Sequence, residues 1–131
     1  MQRTQGVLMS IEARPWGSYE VLAGGDNEGY KVKRLVVNPG AQLSLQRHQH
    51  RSEHWVVLSG HGEIICGLTQ DALRTTFIHP SSHCFIPRGY IHRLACHETS
   101  SEPLQIIEIQ CGEYLGEDDI ERLQDDYGRL A

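Results

Sequence analysis

The chain has 131 residues, 39% hydrophobic and 22% charged, with a formal net charge of −5. A chain of this length fits one hydrophobic core, and no apolar run approaches the roughly 18 residues a membrane-spanning helix needs, so no membrane partner is expected. The acidic balance, set partly by "GEYLGEDDIERLQDDYG" near the end, and the lack of a basic run argue against nucleic acid as a partner.

All of residues 1–131 read as one domain, with residues 1–13 expected to be flexible. The start, "MQRTQGVLMSIEARPWG", carries no long apolar stretch or small-residue cleavage site, so export is not expected and a cytoplasmic address is the default. Thereafter Gly- or Pro-bearing clusters recur about every ten residues, and between them lie short segments rich in Val, Ile, Leu, Thr and Tyr. That pattern predicts an all-β sandwich or barrel. The predicted strands, in order, are 18–22, 30–37, 42–48, 53–59, 62–67, 73–78, 83–86, 92–96 and 103–111. In "GEDDIERLQDD", residues 116–126, acidic residues gather at the start and Ile120, Leu123 and Tyr127 recur at helical spacing; a short C-terminal helix packing on the barrel as a lid is expected. Cys66, Cys84, Cys96 and Cys111 are widely spaced with no C-x-x-C, which predicts reduced core residues in place of a zinc knuckle or redox motif.

The chemistry concentrates in "LSLQRHQHRSEHWVVLSG", residues 43–60, where His48, His50 and His54 fall close together. Alternate residues of a strand share a face. Gln46 and His48, with His50 continuing the parity, therefore point one way, and on the next strand Glu53 and Trp55 share a face opposite to His54. Two adjacent strands can aim Gln46, His48 and Glu53 into one interior, and His92, after "PRGYI", can complete a four-ligand set. Such nitrogen and oxygen donors suit a borderline divalent ion such as zinc, manganese or iron. The alternative is a solvated polar edge strand. His54 is expected to be packed or hydrogen-bonded, and Trp16 and Trp55 to lie in the core.

The spacing Gly40, Gln46, His48, Glu53, Gly60 resembles the first cupin motif, with glutamine in place of its first histidine. "PRGYIHRLAC", Pro87 to Cys96, resembles the second, with Cys96 where asparagine is usual and Ser81 where the leading glycine would sit. The resemblance implies a double-stranded β-helix, or jelly-roll barrel, with one metal held by Gln46, His48, Glu53 and His92. The blocks "RPWGSYEVL", "YKVKRLVVNPG", "HRSEHWVVLSG", "FIPRGYIHRL" and "GEYLGEDDIERL" are similar to a narrower group, the type II mannose-6-phosphate isomerase domain, found as the C-terminal part of bifunctional guanylyltransferase/isomerases. The likeness runs from about Arg14 to Arg129.

That resemblance implies interconversion of mannose 6-phosphate and fructose 6-phosphate through an enediolate, within GDP-mannose biosynthesis, using one divalent ion: zinc is favoured, with manganese, cobalt, iron and nickel as alternatives. The barrel serves isomerases, epimerases, dioxygenases and sensors alike, so a sugar-phosphate-binding cupin without turnover, acting as a sensor or as the partner of a separate guanylyltransferase, stands as the alternative. An iron dioxygenase is a third reading. The chain has no glycine-rich nucleotide loop, so guanylyltransferase activity is not expected. For a general base the pocket-facing candidates are Glu108, which interrupts the apolar "LQIIEIQ" at a cost unless it faces a polar cavity, and His50. For the phosphate, Arg51 beside the metal comes first, with Arg88 and Lys33 as further cations. Small cupins commonly dimerise, and a homodimer is expected.

Overall fold

Segments rich in β-branched and aromatic residues form strands because those side chains pack well on a pleated surface. In the computed structural model, which describes residues 10–130, they become β1 (Ile11–Arg14), β2 (Gly17–Gly24), β3 (Tyr30–Val37), β4 (Leu45–Arg47), β5 (Arg51–Ser59), β6 (Gly62–Gly67), β7 (Arg74–Ile78), β8 (His83–Ile86), β9 (Ile91–Cys96), β10 (Leu104–Gly112) and β11 (Glu121–Gln124). All pairings are antiparallel, in two sheets: β1-β2-β3-β10-β5-β8 and β11-β4-β9-β6-β7. The inner faces enclose a core that includes Trp16, Leu35, Trp55, Leu94 and Ile106.

The period of two is clean in the middle of the larger sheet, where alternate residues of β3, β5 and β10 are buried. Register then sorts the inward residues into rows across the three strands. Leu35, Ile106 and Val57 make an apolar row; Lys33, Glu108 and Trp55 make the next; Lys31, Gln110 and Glu53 make the last. The inner face thus changes from hydrocarbon at one end to buried charge at the other. The charged end is the end that needs partners, since an unpaired buried charge is costly.

Two backbone positions match the motif spacing. Gly60 has φ +78, and a Cβ there would lie 2.6 Å from the Pro103 carbonyl oxygen. Ser81, which stands where the motif's glycine would, also adopts a left-handed φ of 76°, a conformation that strains a residue bearing a Cβ.

Several expectations are corrected. No C-terminal helix forms: residues 121–124 are β11, paired to β4 through Glu121↔Arg47, Arg122↔Gln46 and Gln124↔Leu45. A helix of eleven residues is marginal without tertiary support, and here the exposed edge of β4 offers the strand a ladder of backbone partners instead. The lid placement survives in another form, as a strap of turns plus one strand over the barrel. Residues 11–13, expected to be flexible, belong to β1; residues 1–9 lie outside the described residues. The strand expected over 42–48 shortens to β4, with Gln42 keeping one isolated bridge to Ala95. The four cysteines are free, but only Cys96 is buried; Cys111 is exposed because it is out of phase with inward Gln110.

Candidate functional site

The charged end of the barrel brings together His48 after β4, Glu53 on β5 and His92 on β9, all buried, with ligand atoms within 4.8 Å of one another. Gln46 is the cross-strand partner of His92, so it sits beside them on the inner face. Its Oε1 accepts a 2.8 Å hydrogen bond from Ser44 Oγ. Each histidine is oriented by a backbone carbonyl: His48 Nδ1 lies 2.7 Å from Asp119 O, and His92 Nδ1 lies 3.0 Å from Tyr90 O. A carbonyl only accepts, so both Nδ1 atoms carry a proton, and in the neutral ring that leaves Nε2 as the ligand atom. Those atoms face acceptors, with His48 Nε2 3.2 Å from Glu53 Oε2 and His92 Nε2 3.7 Å from Glu53 Oε1. His92 Nε2 is buried with no hydrogen-bond partner among the described residues.

This donor set fits a divalent cation. Two neutral imidazoles fixed through Nδ1 and a carboxylate between them are what such an ion binds, and the carbonyl acceptors behind the rings are the usual outer support. Protonation of His48 is disfavoured: burial first, then Arg51 and His92, bring its pKa down to about 3. Arg51 is buried in the same cluster, donating from Nε to Glu53 Oε2 at 2.8 Å, with Nη2 3.2 Å from His48 Nε2. Burial would raise the Glu53 pKa, but Arg51 and His92 outweigh it and hold the carboxylate below its ordinary range.

A second buried carboxyl group, Glu108, stands behind Glu53. Trp55 Nε1 lies between them, 3.0 Å from Glu53 Oε1 and 3.2 Å from Glu108 Oε2, and Gln110 Nε2 donates to Glu108 Oε1 at 2.6 Å. Burial and the neighbouring Glu53 charge push the Glu108 pKa up. The two carboxyls are thus held apart in proton affinity by their neighbours, Glu53 lying against the Arg51 guanidinium and Glu108 beside the Glu53 charge.

Gln46, His48, Arg51 and Glu108 form the buried wall of a cavity of about 70 Å³ that also meets Lys33, Tyr19 and Trp16. The strap supplies Glu117, Ile120, Arg122 and Arg129 to the lining, and β1 supplies Arg14. Lys33 Nζ is paired with Glu117 Oε2 at 2.5 Å and lies 4.1 Å from the Tyr19 ring centroid. Asp119 ties the strap down twice, its carbonyl on His48 and its carboxylate on the backbone N–H groups of Gln49 and His50, at 3.0 and 2.9 Å.

The structure therefore brings Gln46, His48, Glu53, His92, Glu108, Arg51 and Lys33 to one interior. It does not bring His50 or Arg88 there: both are exposed, and both bind Glu113 on the outer surface, at 3.0 and 2.8 Å. His50 is displaced because β4 ends at Arg47 and the chain bends before β5, which ends the alternation. His54 faces outward, its ring 4.6 Å from Phe85. Trp55 is core, as expected, and also a donor to both carboxyls. Sequence reasoning passed over Arg14, Glu117, Asp119, Arg122 and Arg129; the signal for Glu117, Asp119 and Arg122 was the acidic block that read as a helix.

A two-sheet antiparallel barrel with inward His, Glu and His donors at one end is a cupin. Solved structures agree at the level of fold: capsular polysaccharide assembling protein CapF from Staphylococcus aureus matches with a TM-score of 0.74 and 18% identity over 89% of this chain and 34% of that one. Oxalate decarboxylase from Bacillus subtilis matches at 0.73 and 13%, over 88% of this chain and 30% of the other. The chain belongs to the family described as mannose-6-phosphate isomerase C-terminal, whose model matches residues 3–125. Among curated proteins, it is 48% identical to the alginate biosynthesis protein AlgA of Pseudomonas aeruginosa over 90% of this chain and 23% of that protein. It is 44% identical to a mannose-1-phosphate guanylyltransferase of Sinorhizobium fredii, over 86% of this chain and 20% of the relative. The chain thus spans about a fifth to a quarter of the length of these relatives. No helix among the described residues is long and apolar enough to cross a membrane.

Proposed function

We propose that this cupin is a metal-dependent sugar-phosphate isomerase that interconverts mannose 6-phosphate and fructose 6-phosphate. The observation that carries the reading is the convergence of two buried Nε2 lone pairs on Glu53 beside a second buried carboxyl, Glu108, whose pKa is raised. The reaction moves one proton between C2 and C1 of the sugar. A carboxylate with its pKa lifted toward neutrality can take that proton and give it back, and Glu108 is the residue so disposed on the cavity wall. Gln46, His48, Glu53 and His92 would hold the ion, which, when bound, supplies Lewis-acid stabilisation of the enediolate oxygens. Arg51 adds fixed positive charge at the same wall and holds Glu53 in its ionised form. Trp55 keeps the Glu53 and Glu108 carboxyls in place and shuts water out from behind them. Zinc is favoured for this donor set, with manganese, cobalt, iron and nickel as alternatives.

The names of the relatives, which concern alginate biosynthesis and mannose-1-phosphate guanylyl transfer, support a role in supplying mannose phosphates towards GDP-mannose. A cytoplasmic homodimer belongs to the same reading, and the outward Val56, Leu58, Phe85 and Ile109 of the larger sheet support the pairing.

The test is a coupled assay for fructose 6-phosphate formed from mannose 6-phosphate, run on the metal-stripped protein with each divalent ion restored in turn, alongside metal analysis of His48→Ala. Turnover that depends on an ion, with metal lost in the variant, is expected. Sugar-phosphate binding without turnover under any ion refutes the isomerase and leaves a binding module.

A further inference from the structure

Every cation expected to meet a phosphate is already engaged: Arg51 by Glu53, Lys33 by Glu117 and Arg88 by Glu113. Arg129 is held at both oxygens of Asp125, at 2.8 and 2.9 Å. Two guanidinium groups of the same cavity have no carboxylate within ion-pair distance among the described residues, Arg14 and Arg122. Arg14 donates to the Ala13 carbonyl at 2.7 Å and to the Tyr19 hydroxyl at 3.2 Å, its guanidinium carbon 4.9 Å from that ring's centroid. Arg122 Nε is buried without any hydrogen-bond partner among the described residues. A buried, unsatisfied donor on a charged group is costly, and the cost grows here because burial, Arg129 and Arg14 all act against the charged form of Arg122.

The placement of these groups is informative. Arg14 ends β1, the edge strand of one sheet, and Arg122 belongs to β11, the edge strand of the other. Register sets Arg122 opposite Gln46, so it shares the cavity side of its sheet. Both are half-buried, whereas His48, Arg51 and Glu108 are fully buried, so the paired charges form the floor and the uncompensated ones the rim. A hexose 6-phosphate has the same polarity, with its dianion at the far end from the reacting C1 and C2.

We propose that Arg14 and Arg122 form the phosphate subsite, gripping the substrate's phosphate from the two sheet edges at once. Each planar guanidinium offers paired donors to a phosphate's oxygens, and the anion would satisfy Arg122 Nε and relieve the repulsion among the three arginines. The identity of the sugar rests on the isomerase reading; the anion site rests on the charges alone.

Inorganic phosphate titrated calorimetrically into the full-length protein tests the site. Arg14→Gln and Arg122→Gln should each weaken phosphate binding roughly tenfold or more, the loss of one charge-assisted hydrogen bond. Arg122→Lys, which keeps the charge without the fork, should fall between. Both glutamine variants should raise KM for mannose 6-phosphate by a similar factor, with kcat and metal content close to those of the parent. The two arginines lie on different strands, so misfolding of one variant, visible by circular dichroism, leaves the other as the measurement. Unchanged phosphate affinity in the folded glutamine variants, or no phosphate binding by the parent, overturns the subsite. Phosphate binding lost in the variants while the parent turns over no substrate with any ion refutes the isomerase and keeps the subsite.

Discussion

His48 makes the metal-free protein lose stability as the pH falls from 6.5 towards about 3. Its native pKa lies at about 3 against 6.5 for a free histidine, chiefly because of burial. A histidine whose native pKa is depressed gives full stability above 6.5, and stability falls as the pH drops, because the unfolded chain binds the proton first. Between pH 6.5 and about pH 4.5 the unfolded state gains about 1.4 kcal/mol per unit, so His48 removes about 2.7 kcal/mol of native stability. That is a large share of the 5–15 kcal/mol typical of a domain. Glu108 acts in the opposite sense over the same window, because its raised pKa lets the native state bind a proton more readily. Glu53, depressed, withdraws stability only as the pH falls below its ordinary carboxylate value of 4.5. The difference between two proteins isolates the histidine. Chelator-treated parent and His48→Gln, each unfolded in urea at pH 7 and at about pH 4.5, should differ by about 2–3 kcal/mol in how much stability acid removes, with the parent losing more. Equal losses would refute the assignment of His48 as a buried neutral imidazole.

Other perturbations separate chemistry from packing. Glu108→Gln should lower kcat for isomerisation roughly a hundredfold or more while leaving bound metal unchanged, read by steady-state kinetics and elemental analysis. Ile106, fully buried in the apolar row, should cost about 3 kcal/mol on truncation to alanine, measured by denaturant titration, without loss of metal. Ser81→Gly should stabilise the protein by about 0.5 kcal/mol, the relief of the left-handed backbone outweighing glycine's greater freedom in the unfolded chain; a lower melting temperature would count against strain at that residue.

Short apolar segments bounded by turn residues were readable, so β3, β6 and β8 fall where the sequence places them. The inner charged end was legible for the same reason: parity carries Gln46, Glu53 and Glu108 to one side. What failed depended on partners distant in sequence. The strap's acidic pattern satisfies a helix as well as a strand, and only the unpaired edge of β4 decides between them. His50 follows parity on paper but sits past the last paired residue of its strand. Arg14 and Arg122 lie in blocks that carry the family resemblance, but nothing local marks either as a ligand. They are distinguished by the absence of a counter-ion, which becomes visible only when both sheets and their ion pairs are laid out.

The Asp119 carbonyl that holds His48 is a backbone atom, so side-chain substitution at 119 does not remove it. Its position is fixed by the alignment of β11 against β4 together with the Asp119 carboxylate's grip on the Gln49 and His50 N–H groups, and a slip of one residue in the ladder would present the opposite face of the strand. The proton location on a buried imidazole and the register of an edge ladder are therefore one equilibrium. Keeping the Nδ1 proton of His48 in place thus depends on keeping the strap aligned.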